Sequence, residues 1–466
     1  MCRRVARGPA AAPLARWGLL LLLSAFGCSD DVVDALTLPP CQGDSDAGAC
    51  ALRVWPNDVS HTNSDRWLAL HHDELVRLEP RVLLLDFYDG QPSVGAPVLT
   101  VDQISQIAEQ QIQAQALGSR YHGYSDPAAP AFLNYQLSMT IDLTDHPGPP
   151  AGWNHPSSTL LPVTPSGAFD PTQLFTQAFG DRIGVADPED STRNLTLCQL
   201  FEHGIINEVW VSIGEGPPRG IDSLERKQVY GADGTPVAGQ FEPAAGGSGD
   251  LSGVECGVTV RIAHLSPLRG LGCDLDIRSW SLEAETTLAT VPYLSDNALA
   301  FFNSDFKKRF DVAFDSWDEL CSGSSDTAPC VSYPSATSVT SASGSAPWTI
   351  DPFTQGCGTA TFPPNARYRD DYVDTTPVAS RCAHYRLGDG ARGADLTEPY
   401  TADLVQGNVD LLDALAARIS PAVNLPGEDC GGGWQVYLRQ SIPGYQNEAR
   451  DSQGQPMKNW WPFSFY

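Results

Sequence analysis

The chain has 466 residues and a net charge of −27, with 56 Asp and Glu against 29 Lys and Arg. A surface this acidic repels phosphate backbones, and nucleic-acid binding needs a basic footprint, so that class is excluded. Apolar content of 42% with 11 Trp argues for a packed core rather than disorder, and the length allows one large domain or two ordinary ones.

The N-terminus sets the expected compartment. Arg3, Arg4, Arg7 and Arg16 form a positive segment without an acid, and the apolar run Trp17–Phe26 follows. That run is shorter than the about 20 residues of a membrane span and has the length of a signal-peptide core. Ala25-Phe-Gly-Cys28 resembles the lipobox of bacterial lipoproteins, with Ala25 where Leu is usual. Residues 1–27 therefore read as a lipoprotein signal peptide and Cys28 as the lipidated residue. An ordinary secretory signal cleaved after Gly27 is the alternative. The expected location is the cell envelope, lipid-anchored, with Ser29 rather than Asp after Cys28 favouring the outer membrane. Membrane contact would be through the anchor only, and a glycan or other envelope component is the expected partner.

Of the 12 cysteines, Cys2 leaves with the signal and Cys28 carries lipid. The others form an even set in an exported chain, which reads as disulfides. Cys41–Cys50 and Cys321–Cys330 are the natural local pairs. Neither Cys-x-x-Cys nor a haem-attachment Cys-x-x-Cys-His occurs, so the pattern speaks against zinc thiolate. Cofactor and metal stay open.

Residues 28–60 read as an acidic tether. His71-His-Asp-Glu74 reads as a solvated turn. Arg81–Phe87 is a continuous apolar run and predicts a buried strand. Thr100-Val-Asp-Gln103 is a capping box opening a helix to about Leu117, stopped by Gly118. Phe132–Leu143 reads as a strand, 146–169 as a Pro- and Gly-rich loop, and Ser191–His203 as a second helix. Ile205–Ile213 and Val258–His264 read as strands, followed by a helix from Leu268 to about Glu285. This alternation predicts an α/β body over 61–330 with a largely parallel sheet and flanking helices. A Ser/Thr-rich loop covers 331–349. Residues 350–466 form an aromatic, loop-rich region expected to pack on the body, with the apolar tail Asn459-Trp-Trp-Pro-Phe-Ser-Phe-Tyr466 folded back.

In open parallel sheets, ligands bind beyond the carboxyl ends of the strands. Asp86, Glu215, His264 and Arg269 fall there, and carboxylates near a His suit acid–base or metal chemistry. Acids at strand ends also serve simply as solvated caps, and that reading stands beside the first. Tyr368, Asp371 and Tyr372 form a second candidate, since aromatic rings beside acids suit sugar stacking and hydroxyl hydrogen bonds. His-Glu-x-x-His, Gly-x-Ser-x-Gly and the P-loop are all missing.

His203-Gly-Ile-Ile-Asn-Glu-Val-Trp-Val211, Arg269-Gly-Leu-Gly272, Cys357-Gly-Thr-Ala-Thr-Phe-Pro-Pro-Asn365 with Asp371-Tyr372, Gly433-Trp434 and Asn459-Trp-Trp461 occur in this order. Together they resemble a family of secreted bacterial proteins, with some fungal members, whose function is uncharacterised. The resemblance covers about residues 200–466. It implies a polar site around Arg269 and Glu283, where relatives carry Gly-His-Arg before the Glu. Here Ser279-Trp280-Ser281 occupy those places, which removes an imidazole and any base it supplied. Three functions remain in view: a non-catalytic surface lipoprotein that binds a ligand or glycan, a divergent hydrolase, metal-dependent or not, using Asp86, Glu215, His264, Arg269 and Glu283, and a structural envelope protein. Whether the chain is an enzyme is left open by the sequence.

Overall fold

The structure is a computed structural model. It describes residues 52–60, 67–90, 97–214, 223–275, 278, 331–341, 349–350, 360–382, 398–418, 429–448 and 458–465. Within these stretches 69, 147, 149–150, 152, 154–156, 231–235, 243–248, 337, 361–362, 369 and 381 are left out. Cys28, Glu215, Glu283 and the expected pairs Cys41–Cys50 and Cys321–Cys330 lie outside the described residues.

In chain order the elements are β1 (Val54–Trp55), β2 (Arg77–Leu78), β3 (Arg81–Asp86), α1 (Val101–Gly118), β4 (Gln136–Asp142), α2 (Gln177–Ile183), α3 (Leu197–Glu202) and β5 (Glu208–Ser212). There follow β6 (Ser223–Tyr230), β7 (Pro236–Glu242), β8 (Gly249–Asp250), β9 (Val260–Leu265), β10 (Val331–Ser335), β11 (Ser338–Ser341) and β12 (Thr349–Ile350). The last are β13 (Val378–Ser380), β14 (Glu398–Tyr400), α4 (Gln406–Ala416) and α5 (Gly432–Ser441).

The central sheet runs β4-β3-β5-β9-β6-β7, with β8 beside β6. Its first four strands are parallel, as the alternation predicts. β6 joins β9 antiparallel and β7 joins β6 antiparallel, an edge the sequence reading did not include. The first strand of the parallel set, β3, lies inside it, between β4 and β5. The order therefore reverses there, as in doubly wound α/β sheets.

Strand pleating sends alternate residues to opposite faces. Val82, Leu84, Trp210, Ala263 and Leu265 face a core shared with Ile104, Ile107 and Ala108 of α1 and Trp434, Tyr437 and Leu438 of α5. Leu83, Leu85, Val209, Val211 and Ile262 face a second core with Phe179 and Ile183 of α2 and Leu197, Leu200 and Phe201 of α3. Each fully buried Leu, Val or Ile contributes on the order of 1.5–3 kcal/mol. α1 begins where its capping box predicts: Thr100 accepts from Gln103 N–H, and the Gln103 side chain accepts from Thr100 N–H at 2.9 Å.

Other expectations need correction. The helix read over Ser191–His203 spans only Leu197–Glu202, because Thr196 is its N-cap and closes a second capping box with Gln199. The tether ends earlier than 60, since Trp55 is buried against Phe465 at 5.4 Å between ring centres. His72 is buried rather than solvated, with Nε2 2.7 Å from Asn459 O, and burial lowers its pKa to about 4. β10, β11 and β12 make a three-stranded antiparallel sheet across the segment read as a Ser/Thr-rich loop. The C-terminal region contributes α4 and α5, which pack through Leu412, Leu415, Ala416 and Val436 against Ala114 and Leu117 of α1. The tail folds back as expected: Trp460, Trp461 and Phe465 are buried.

Two disulfides join described residues of the body. Cys198–Cys256 ties α3 to the chain entering β9, and Cys273–Cys430 ties the segment after β9 to the start of α5. Cys382 is also disulfide-bonded.

Candidate functional site at the sheet reversal

Asp86 ends β3 and stands in register with Asp142 of β4 on one side and Ser212 of β5 on the other. The shared register puts the three side chains in one row on the α1 face of the sheet, at the point where the strand order reverses. Asp86 and Ser212 are fully buried, while Asp142 is exposed. Asp86 Oδ1 accepts from Tyr88 N–H at 3.0 Å. Among the described residues, Asp86 Oδ2, Ser212 Oγ and Tyr88 Oη are buried with no hydrogen-bond partner of good geometry. Buried polar atoms in native proteins are almost always satisfied. One carboxyl and two hydroxyls, with Ser212 facing Asp86, thus form a buried polar cluster at the sheet reversal.

Electrostatics follow from this burial. Desolvation pushes the Asp86 pKa up to about 7; Tyr88 N–H and the facing Ser212 hydroxyl hold it down in part, and Asp142 and Asp89 add to the rise. Burial, then the charge of Asp86, raises the Tyr88 phenol to about 12. Asp89, 1% exposed, is raised by desolvation. Its Oδ2 accepts from Asp145 N–H at 2.7 Å, and His146 Nδ1 lies 3.5 Å from its Oδ1.

The loop 157–159 is fastened over these strand ends. Ser158 N–H donates to Phe87 O at 2.9 Å and Ser158 Oγ to Leu143 O at 2.6 Å, while Gly214 N–H donates to Ser157 Oγ at 3.2 Å. Thr159 donates to Asp145 through its N–H at 2.6 Å and its hydroxyl at 2.9 Å. Thr159 also opens a groove of about 510 Å³ that runs to α2, bordered by Thr164, Asp170, Gln173, Thr176 and Arg182. A hydrogen-bonded path thus leads from Asp89 through Asp145 to the groove.

Of the expected site residues, Glu215 and Glu283 lie outside the described residues, and Asp86 and His264 lie on opposite faces of the sheet. His264 pairs in register with Val211, not with Ser212, so its side chain lies on the face opposite Asp86. It is 8% exposed, with Nε2 3.3 Å from Ile213 O. Arg269, half-buried, sits in the turn that follows, its N–H 3.4 Å from Ser266 O. Asp371 is buried and accepts from Arg367 at 2.9 Å, which fixes its own loop. Tyr372 covers Gly431, where a Cβ would come within 2.3 Å of the ring, and Tyr368 is half-buried beside Arg367.

Glu208, quoted above only within its motif, starts β5 fully buried. It accepts from Tyr135 Oη at 2.9 Å and Trp210 Nε1 at 2.8 Å, and Arg278 Nη1 lies 3.4 Å away. Arg278 also pairs with Asp274 at 3.0 Å and lies 4.6 Å from the Trp210 ring. Burial opposes the charge on Arg278, but Asp274 and Glu208 outweigh it and hold its pKa up. This network clamps the sheet to Asp274 and Arg278 at the amino ends of the strands, away from the reversal. The one signal for it in the sequence is an acid inside an otherwise apolar strand.

Among the described residues, the only three metal-capable groups within 4.8 Å of one another are Cys273, Asp429 and Cys430, whose sulfurs are bonded together. Asp86, Asp89 and Asp142 do not converge in that way. No described helix is long and apolar enough to cross a membrane. The fold and site define an α/β protein with a buried acid at its sheet reversal. Comparison with known protein families, curated proteins and solved structures finds no match.

Proposed function

We propose that this protein is an envelope-anchored lipoprotein, tethered through Cys28, whose α/β body binds a neutral, hydroxyl-rich ligand such as an envelope or extracellular glycan. The observation that carries the reading is the open trio of Asp86 Oδ2, Ser212 Oγ and Tyr88 Oη at the sheet reversal. With a pKa near 7, Asp86 spends much of its time as a neutral acid and can donate to a ligand hydroxyl. Ser212 and Tyr88 both donate and accept. The groove beside α2, which Thr159 joins to Asp89 through Asp145, is lined by Leu, Pro, Val and Phe side chains with Thr, Gln, one acid and one base. A glycan array probed with the mature protein and with Asp86→Ala tests this: signals from the wild type that vanish in the variant support it, and signals shared equally by both refute it. Anchoring is tested by Cys28→Ser, which moves the protein from the detergent phase to the aqueous phase.

A second reading, glycan hydrolysis, is supported by one feature. Asp86 and Asp142 are register neighbours in opposite environments, one buried with a raised pKa and one exposed. Two carboxyl groups in unlike surroundings are what glycosyl hydrolysis uses. Release of reducing ends from a bound glycan, lost in Asp142→Asn, distinguishes hydrolysis from binding alone.

A further inference from the structure

The two described disulfides have contrasting surroundings. Cys198–Cys256 lies in the α3 core, with Cys256 only 3% exposed. Cys430 of the other bridge is exposed and precedes α5, with a left-handed φ of 54°. Its partner Cys273 is half-buried, with Sγ 3.2 Å from Asp429 Oδ2. A carboxylate oxygen of Asp429 lies within 4.8 Å of both sulfurs.

Thiol–disulfide exchange has three geometric needs: a sulfur open to attack, a leaving sulfur on its far side, and somewhere for the proton to go. Cys430 is the exposed residue of the pair. Its place at the start of the ten-residue helix α5 puts the positive end of the helix dipole near an incoming thiolate. Cys273 is the leaving sulfur, and beside it stands the Asp429 carboxyl, whose pKa burial raises. Gly272 packs directly on Asp429 and Gly432, so the two segments stay in contact when the bridge opens.

We propose that Cys273–Cys430 is an exchangeable disulfide and Cys430 a site of S-thiolation: a small external thiol attacks Cys430, and Asp429 delivers a proton to the departing Cys273. In this step the thiolate sulfur bonds to Cys430 Sγ, the Cys430–Cys273 bond breaks and its electron pair goes to Cys273. The external thiol is oxidised to the mixed disulfide as Cys273 is reduced. The proton the thiol gave to solvent returns through the Asp429 carboxyl to Cys273.

The test exposes the oxidised full chain to reduced glutathione under native conditions, quenches with N-ethylmaleimide and maps the peptides by mass spectrometry. Glutathione on Cys430, maleimide on Cys273 and an intact Cys198–Cys256 bridge are expected. Glutathione on Cys273, or Cys198–Cys256 opening as fast as Cys273–Cys430, overturns the assignment. Asp429→Asn preserves size and removes the proton donor, so opening should slow on the order of tenfold or more. The circular dichroism and melting temperature serve as folding controls. An unchanged opening rate removes Asp429 from the step, whereas the adduct position in the wild type is read without any variant.

Discussion

Asp86 and Ser212 stand in register across the junction of β3 and β5, a carboxyl and a hydroxyl both fully buried at the point where the strand order turns back. Neither Asp86 Oδ2 nor Ser212 Oγ has a partner of good geometry among the described residues. Leaving a buried polar group unmade costs about 1–3 kcal/mol. A carboxyl and a hydroxyl buried face to face at the sheet reversal are the physical reason to look for function there.

The first prediction concerns pH. Burial raises the folded-state pKa of Asp86 to about 7 from the ordinary 3.8. Between these values the folded state binds the proton that the unfolded state releases, so its contribution is complete below pH about 4 and is lost as pH rises through about 7. Once the carboxyl is ionised, the loss is on the order of 2–4 kcal/mol. Asp86→Asn should therefore gain about that much on the wild type between pH 4 and pH 8. Urea titrations of both proteins across that range check it, and parallel curves contradict it.

A second prediction concerns Glu208. Replacing it with Gln leaves Arg278 buried with Asp274 alone and disrupts the acceptors of Tyr135 and Trp210. Breaking a buried ion pair from one side costs about 3–5 kcal/mol. Glu208→Gln should lower the urea midpoint accordingly and leave glycan binding of any surviving folded protein intact, because the network lies at the other end of the strands.

Glycine positions supply a third test. A Cβ on Gly272 would lie 2.0 Å from Asp429 O and 2.8 Å from Gly432 Cα, both backbone atoms that cannot yield. Gly272→Ala should destabilise by several kcal/mol, about 3 or more, as overpacked cores do. Gly407, inside α4, has nothing within 4 Å. There Gly→Ala should stabilise by about 0.5–1 kcal/mol through helix propensity and unfolded-state entropy. Thermal melts of the two variants should move in opposite directions.

The parallel strands were legible because each is a short apolar run bounded by turns, and α1 because its capping box and Ile spacing agree. α5 was hidden for a physical reason: it is buried on all sides yet carries Gln435, Arg439 and Gln440, so no apolar stripe marks it. Arg439 Nη2 donates to Gln115 Oε1 at 2.6 Å, and the guanidinium lies 4.9 Å from the Trp461 ring. Burial, aided by the nearby charge of Arg278, lowers its pKa to about 10. β6 and β7 join the sheet antiparallel, a pairing that no local periodicity encodes. At the site, Asp86 could be found as the acid ending a buried strand, but its separation from His264 could not. A one-residue difference in register decides which face a strand-end side chain takes, and register is a property of the folded sheet.

The most direct measurement is calorimetric titration of the strongest array glycan into wild type and Asp86→Asn at pH 5.5 and 8.5. If Asp86 binds as a neutral acid, the wild type loses affinity at the higher pH by about thirtyfold, equivalent to about 2 kcal/mol. Asp86→Asn, which is neutral throughout, binds with the same affinity at both. Equal wild-type affinity at the two pH values, or a pH dependence that survives in Asp86→Asn, contradicts the account.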